Sequence, residues 1–271
     1  MDFAMTALLA GMLAPDPAAV QVAEGQPVPM VIEAGRACLP DADVCLAVVA
    51  DTTGGERAYR AVLSSKDMPM DKGKSQPLPC TVGDQEAPEI WPHVLPLAAT
   101  APGEGDGRAQ FYLVGVLLKQ NIAYSGGGAE TSRLCLSTLG VGRITALGQE
   151  LLNLPWRSSL LIRACFDDAD RKKRLGACHD EYDYGTSLTL APDGDGGSEL
   201  PALIYRTQAT AYPQTARRWE DSSALPPLKP SDLSRWRDPE CSYSRTLRLN
   251  PATERYEMDR PAPDCQAYTA S

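Results

Sequence analysis

The sequence predicts a mainly β protein: antiparallel β-sheets stapled by disulfides, sandwich-like or propeller-like, with few short helices. Three observations lead there. Apolar runs of strand length recur between clusters of turn residues. The 8 Cys are an even number scattered along the chain with no C-x-x-C pair, which suits disulfides better than a zinc ribbon or a thioredoxin-like motif. The 23 Pro and 22 Gly punctuate the chain without reaching low-complexity composition, and a hydrophobic share of 43% suffices for a core. Collagen, coiled coil and wholesale disorder are excluded on the same figures.

Taken in order, residues 4–14 (AMTALLAGMLA) form a small-and-apolar run of signal-peptide length, ended by Pro15 and Pro17. Ala18, Ala19 and Ala23 supply small residues for cleavage, so residues 1–23 read as a signal-peptide-like segment, although Asp2 stands where a basic residue is expected. The run is too short to anchor a chain in a bilayer, and no other stretch approaches 18 apolar residues, so no transmembrane anchor is expected in the mature chain. With the cysteines, this places the protein in the periplasm or outside the cell. A formal net charge of -9 argues against a nucleic-acid partner, since a phosphate backbone repels an acidic surface.

Residues 111–118 (FYLVGVLL) are apolar on both faces, as a central strand is. Residues 134–139, 159–166 and 203–212 have similar length and end at polar or turn residues. A glycine-rich turn is expected at 124–129, between the first two of these strands. Residues 243–249 and 254–258, joined by Asn250-Pro251-Ala252-Thr253, read as a hairpin. A short helix is expected at 142–152 and another opening at Ser231. Long Pro-rich joints are expected at 69–79, 88–102 and 213–230.

Residues 36–43 (RACLPDAD) align without gaps on residues 163–170 (RACFDDAD). As a duplication this gives two similar β-rich modules, 24–140 and 141–271; otherwise the chain is one continuous domain. The repeated motif also orders the cysteines. Cys38 with Cys45 and Cys165 with Cys178 each close a short span after it. Cys241 and Cys265 bracket the last hairpin, and Cys80 and Cys135 remain for each other.

Chemistry-bearing residues are densest at 165–184 (CFDDADRKKRLGACHDEYDY), where a Cys165–Cys178 bond makes residues 171–174 the basic tip of a hairpin. Strand alternation past Cys178 puts His179, Glu181 and Asp183 on one face, either converging on a cation or polar ligand or forming a solvated face. Asp180 falls among Tyr182 and Tyr184 on the other face. A carboxylate there needs a partner, Arg163 or a tyrosine hydroxyl; failing one, it becomes a desolvated acid. His179, Asp180 and Glu181 are the candidate catalytic residues. Asp193, Asp195 and Glu199 open like a calcium loop, but Ile204 stands where the bidentate Glu belongs, so a hairpin turn is the alternative and no cofactor is required. Trp91, Trp219 and Trp236 are the candidate binding residues, able to line a carbohydrate or peptide surface. His93, between prolines, is expected to be an exposed loop residue.

These readings lead to an exported, non-catalytic binding or structural module acting on an envelope polymer or another extracytoplasmic protein. The alternative is a small extracytoplasmic hydrolase using acidic residues and His179 around 165–184. The surroundings of His179, Asp180 and Glu181 discriminate the two.

Overall fold

The computed structural model describes residues 25–51, 58–97, 110–192 and 200–269. Within them the chain forms fifteen strands and two short helices. The first six strands are β1 (Val28–Pro29), β2 (Val31–Glu33), β3 (Arg36–Cys38), β4 (Cys45–Asp51), β5 (Ala58–Ser64) and β6 (Lys74–Pro77). Longer ones follow: β7 (Ala87–Pro96), β8 (Gln110–Tyr124), β9 (Gly127–Val141) and β10 (Ala146–Arg163). Helix α1 (Asp168–Lys173) precedes β11 (His179–Leu190) and β12 (Leu203–Tyr212). The chain ends with β13 (Trp236–Asp238), β14 (Ser244–Asn250), β15 (Arg255–Met258) and helix α2 (Gln266–Thr269).

All pairings are antiparallel. β2 to β6 form a five-stranded sheet in sequence order. The rest form a ten-stranded sheet, β1-β7-β8-β9-β10-β11-β12-β14-β15, with β13 also on β12. The smaller sheet packs on the β7–β9 part of the larger, burying Leu39, Leu46 and Leu63 against Val94, Tyr112 and Leu139. A sandwich results. Trp91 and Leu95 of β7 share a second core with Leu247 of β14 and Tyr256 of β15, so the large sheet rolls over on itself. Among the described residues it does not close: β1 and β15 are not paired.

The four disulfides are Cys38–Cys45, Cys80–Cys135, Cys165–Cys178 and Cys241–Cys265, the pairing that local spacing suggests. Residues 203–212 are β12, and the last hairpin is β14–β15. The turn at 125–126 joins β8 to β9, which pair from Tyr124↔Gly127 to Gln110↔Val141. Gly127 is fixed by a close approach: a Cβ there would lie 1.8 Å from the Leu161 carbonyl oxygen.

Three expectations are corrected. The helix expected at 142–152 is a turn followed by the start of β10. Register shifts at Leu147/Glu150 and Glu150/Leu152 bring Leu151 and Leu152 both inside, and two adjacent buried leucines imitate helical spacing. The joint expected at 88–102 is mostly strand β7. Its bulge between Ile90 and Val94 houses Pro92, whose carbonyl accepts from Met30 N at 3.0 Å, and only the two-residue β1 lies beyond it. The helix expected at Ser231 is one 3-10 turn, Pro230–Asp232, after which Trp236 pairs with Ala211. The joint at 69–79 holds a 3-10 turn and the edge strand β6, while residues 213–229 form a true loop. The β9–β10 hairpin crosses residue 140, the boundary between the two expected modules, so one sheet runs through it. No helix among the described residues is long and apolar enough to cross a membrane.

Candidate functional site

The segment 165–184 is organised by one buried cation. The Cys165–Cys178 bond closes not a basic hairpin tip but helix α1, whose N-cap Asp167 accepts from Asp170 N at 2.8 Å. Asp168 and Asp170 lie in its first turn and Arg171, Lys172 and Lys173 in its last, the charge order that a helix dipole favours. Arg174 follows and turns inward. It is 3% exposed and donates from Nε to the Ala177 carbonyl at 2.8 Å. One terminal nitrogen binds Asp180 Oδ1, and Ser222 Oγ donates to Asp180 Oδ2. Asp180, 2% exposed, is therefore paired and hydrogen-bonded on both oxygens.

This corrects the expected partner. Arg163 instead donates to the Cys165 carbonyl at 2.7 Å and lies 5.2 Å from the Phe166 ring centroid. The tyrosine hydroxyl does not serve either: Tyr182 OH is buried with no hydrogen-bond partner among the described residues. Burial raises the Tyr182 pKa, and the neighbouring Asp180 charge raises it further.

On the outer face Glu181 and Asp183 are both bound by Arg235, one through each terminal nitrogen. His179 stands exposed opposite Arg163 at the strand end. A general acid or base needs a carboxylate free to reach substrate. Here Asp180 faces a buried arginine, Glu181 an exposed one, and His179 solvent. The three do not converge.

The tryptophans also separate. Trp91 is core, 3% exposed and edge-on to Trp156 at 5.7 Å, because the β7 bulge turns it inside. Trp219 and Trp236 are exposed; Arg218 stacks on Trp219 at 4.6 Å. Asp193, Asp195 and Glu199 lie outside the described residues. One metal-like cluster occurs among the described residues, Cys80, Cys135 and Glu150, but its two sulfurs are spent on their own bond.

A concave surface exists elsewhere, on the outer face of β10, β11 and β12. Cross-strand register sets Arg157, Gly185 and Gln208 side by side. A Cβ on Gly185 would meet nothing within 4 Å, so the strand leaves an open floor there. Around it lies a groove of about 710 Å³, bounded by Arg157, Arg206 and Arg237. All three arginines are exposed and make no ion pair or side-chain hydrogen bond with the described residues. The one carboxylate among the lining residues, Asp183, is already held by Arg235.

The groove continues past Arg157 and Gly185 into a hollow of about 570 Å³ reaching Lys119, Glu130 and His93. His93 is not the exposed residue expected. It is half-buried in the β7 bulge, and its Nδ1 has no hydrogen-bond partner among the described residues. Burial lowers its pKa below 6.5, and the Arg157 charge lowers it further. A histidine held neutral in the fold gives stability that is present above its unfolded pKa and lost as pH falls. The melting temperature is therefore expected to drop as pH is lowered through 6.5, and to drop less in His93→Gln; identical pH profiles would disprove the assignment.

No family model, curated protein or solved structure matches this chain. Sequence reasoning missed Arg157, Gly185, Arg206 and Arg237. The signal for Arg206 was present in the alternation Arg206, Gln208, Thr210 along an otherwise buried strand. Which strands lie beside it was not.

Proposed function

We propose that the protein is an exported, non-catalytic binding module of the periplasm or cell surface, and that its ligand lies in the Gly185 groove. One contrast carries the reading. The acids that a hydrolase would use are neutralised by Arg174 and Arg235, whereas Arg157, Arg206 and Arg237 line a concave surface with no ion-pair partner among the described residues. Pre-paired acids serve architecture; unpaired cations around an open floor serve recognition. The four disulfides support an oxidising compartment, and the apolar run at residues 4–14 has the length of an export signal.

The test uses a panel of neutral and acidic envelope polysaccharides. The wild-type chain is expected to retain at least one without consuming it. Gly185→Ile, which fills the floor without meeting a neighbour at Cβ, is expected to release it with the melting temperature unchanged. His179→Ala is expected to change nothing. Release of reducing ends that depends on His179 or Asp180 would restore the hydrolase reading.

A further inference from the structure

The groove's lining chemistry narrows the ligand class, given the reading that the groove is the binding surface. Arg157 lies two strands and two residues from Arg206, and Arg237 sits opposite Thr210 on the far side of β12. Strand spacing of about 4.8 Å and a rise of about 3.3 Å per residue put the three Cα atoms roughly 12 to 16 Å apart. A single carboxylate or phosphate would have to draw all three side chains together against their mutual repulsion, whereas a ligand with its charges spread along it meets each arginine in place. A guanidinium suits such groups, because its planar fork donates two parallel bonds to a carboxylate. Between the arginines stand Ser187, Gln208 and Ser244, all exposed and none spending its side chain on another described residue. Hydroxyl and amide groups of this kind pair with the hydroxyls of a sugar.

We infer that the groove takes an extended acidic polysaccharide, its carboxylates on Arg157, Arg206 and Arg237 and its hydroxyls on Ser187, Gln208 and Ser244. A polynucleotide fits less well. A duplex carries a charge about every 1.7 Å and a single strand about every 3.4 Å, denser than three arginines set this far apart can match. It also lacks a ring to stack on. Tyr243, which lines the groove, has its ring taken by Arg245 at 4.6 Å and Tyr205 at 6.2 Å. An acidic peptide supplies carboxylates but few hydroxyls.

The experiment titrates the full disulfide-bonded chain with oligogalacturonate, a neutral oligoglucan, poly-glutamate and a single-stranded oligonucleotide. Oligogalacturonate is expected to bind best and to weaken several-fold between about 50 and 200 mM salt, as ion pairing with a groove requires. Replacing Arg157, Arg206 and Arg237 together by Gln is expected to weaken it about tenfold or more, and each single replacement about threefold. The single variants carry the test should the triple variant lose its melting transition. No oligogalacturonate binding, equal affinity for the neutral glucan, or tighter binding of poly-glutamate or the oligonucleotide overturns the assignment. A neutral glycan that Gly185→Ile releases but the arginine variants retain overturns this ligand class alone. A ligand whose retention ignores Gly185→Ile overturns the groove as well.

Discussion

Asp180→Asn is expected to destabilise the fold by about 3–5 kcal/mol, since removing one partner of a buried ion pair leaves the other charge uncompensated. The charge left behind is Arg174, which is sealed in by its bonds to the Ala177 and Ser222 carbonyls. The loss should spread beyond the pair. Ser222 belongs to the loop 213–229, which is also tied to α1 by Lys173 Nζ on the Ser223 carbonyl at 2.6 Å and by Leu228 N on the Lys173 carbonyl at 3.0 Å. Denaturant unfolding measures the first effect, and faster hydrogen exchange across the loop the second. The double variant Arg174→Met, Asp180→Leu is expected to cost far less than either single change, because it removes both charges together. An unchanged melting temperature with loss of activity on some substrate would overturn the structural role and make Asp180 an acid catalyst.

Replacing Cys80 and Cys135 by Ala is expected to be the costliest disulfide loss. Their bond spans 55 residues, and the entropy of closing such a loop in the unfolded chain amounts to about 4 kcal/mol. Cys38–Cys45 spans 7, for which the same relation gives about 2 kcal/mol. The long bond also pins residues 78–86 to β9 beside Val116 and Leu118, next to the Glu86–Arg133 pair with its bonds of 2.8 and 2.9 Å. Glu86 is held below the usual carboxylate range: burial alone would raise it, but the hydrogen bonds from Arg133 and Gly83 outweigh that. Urea midpoints for the two double variants check the order. A larger cost at Cys38 and Cys45 would show that the unfolded chain does not follow loop length.

Local features of this chain were legible because their physics is local. The last hairpin, strand β12 and the glycine turn at 125–126 each depend on residues within a few positions of one another, and three of the disulfides join cysteines 7, 13 and 24 residues apart. Cys80–Cys135 followed once the other six were spent. Failures arose where a distant partner changed the meaning of a pattern. Pro92 read as a joint because nothing in the sequence announces a bulge, or that only two residues lie beyond β7. Leu151 and Leu152 read as helical because adjacent bulges bury both. Helix α1 was missed although its signals were present: Asp167 as cap, acids first, bases last. The disulfide reading of the segment as a hairpin hid them.

The sequence by itself determined the class of fold, the pairing of its cysteines, and which residues of β11 face in or out. It could say that Asp180 required a partner, because an unpaired carboxylate inside a protein costs several kcal/mol. The tertiary structure decided which partner. Arg174 reaches Asp180 only because α1 folds inside the Cys165–Cys178 loop, and Ser222, 42 residues later, only because its loop returns to it. The groove was decided in the same way. Arg157, Gly185, Gln208 and Arg237 lie on four strands, and it is cross-strand register, set by turns and by bulges such as the one at Pro155/Arg157, that makes them neighbours.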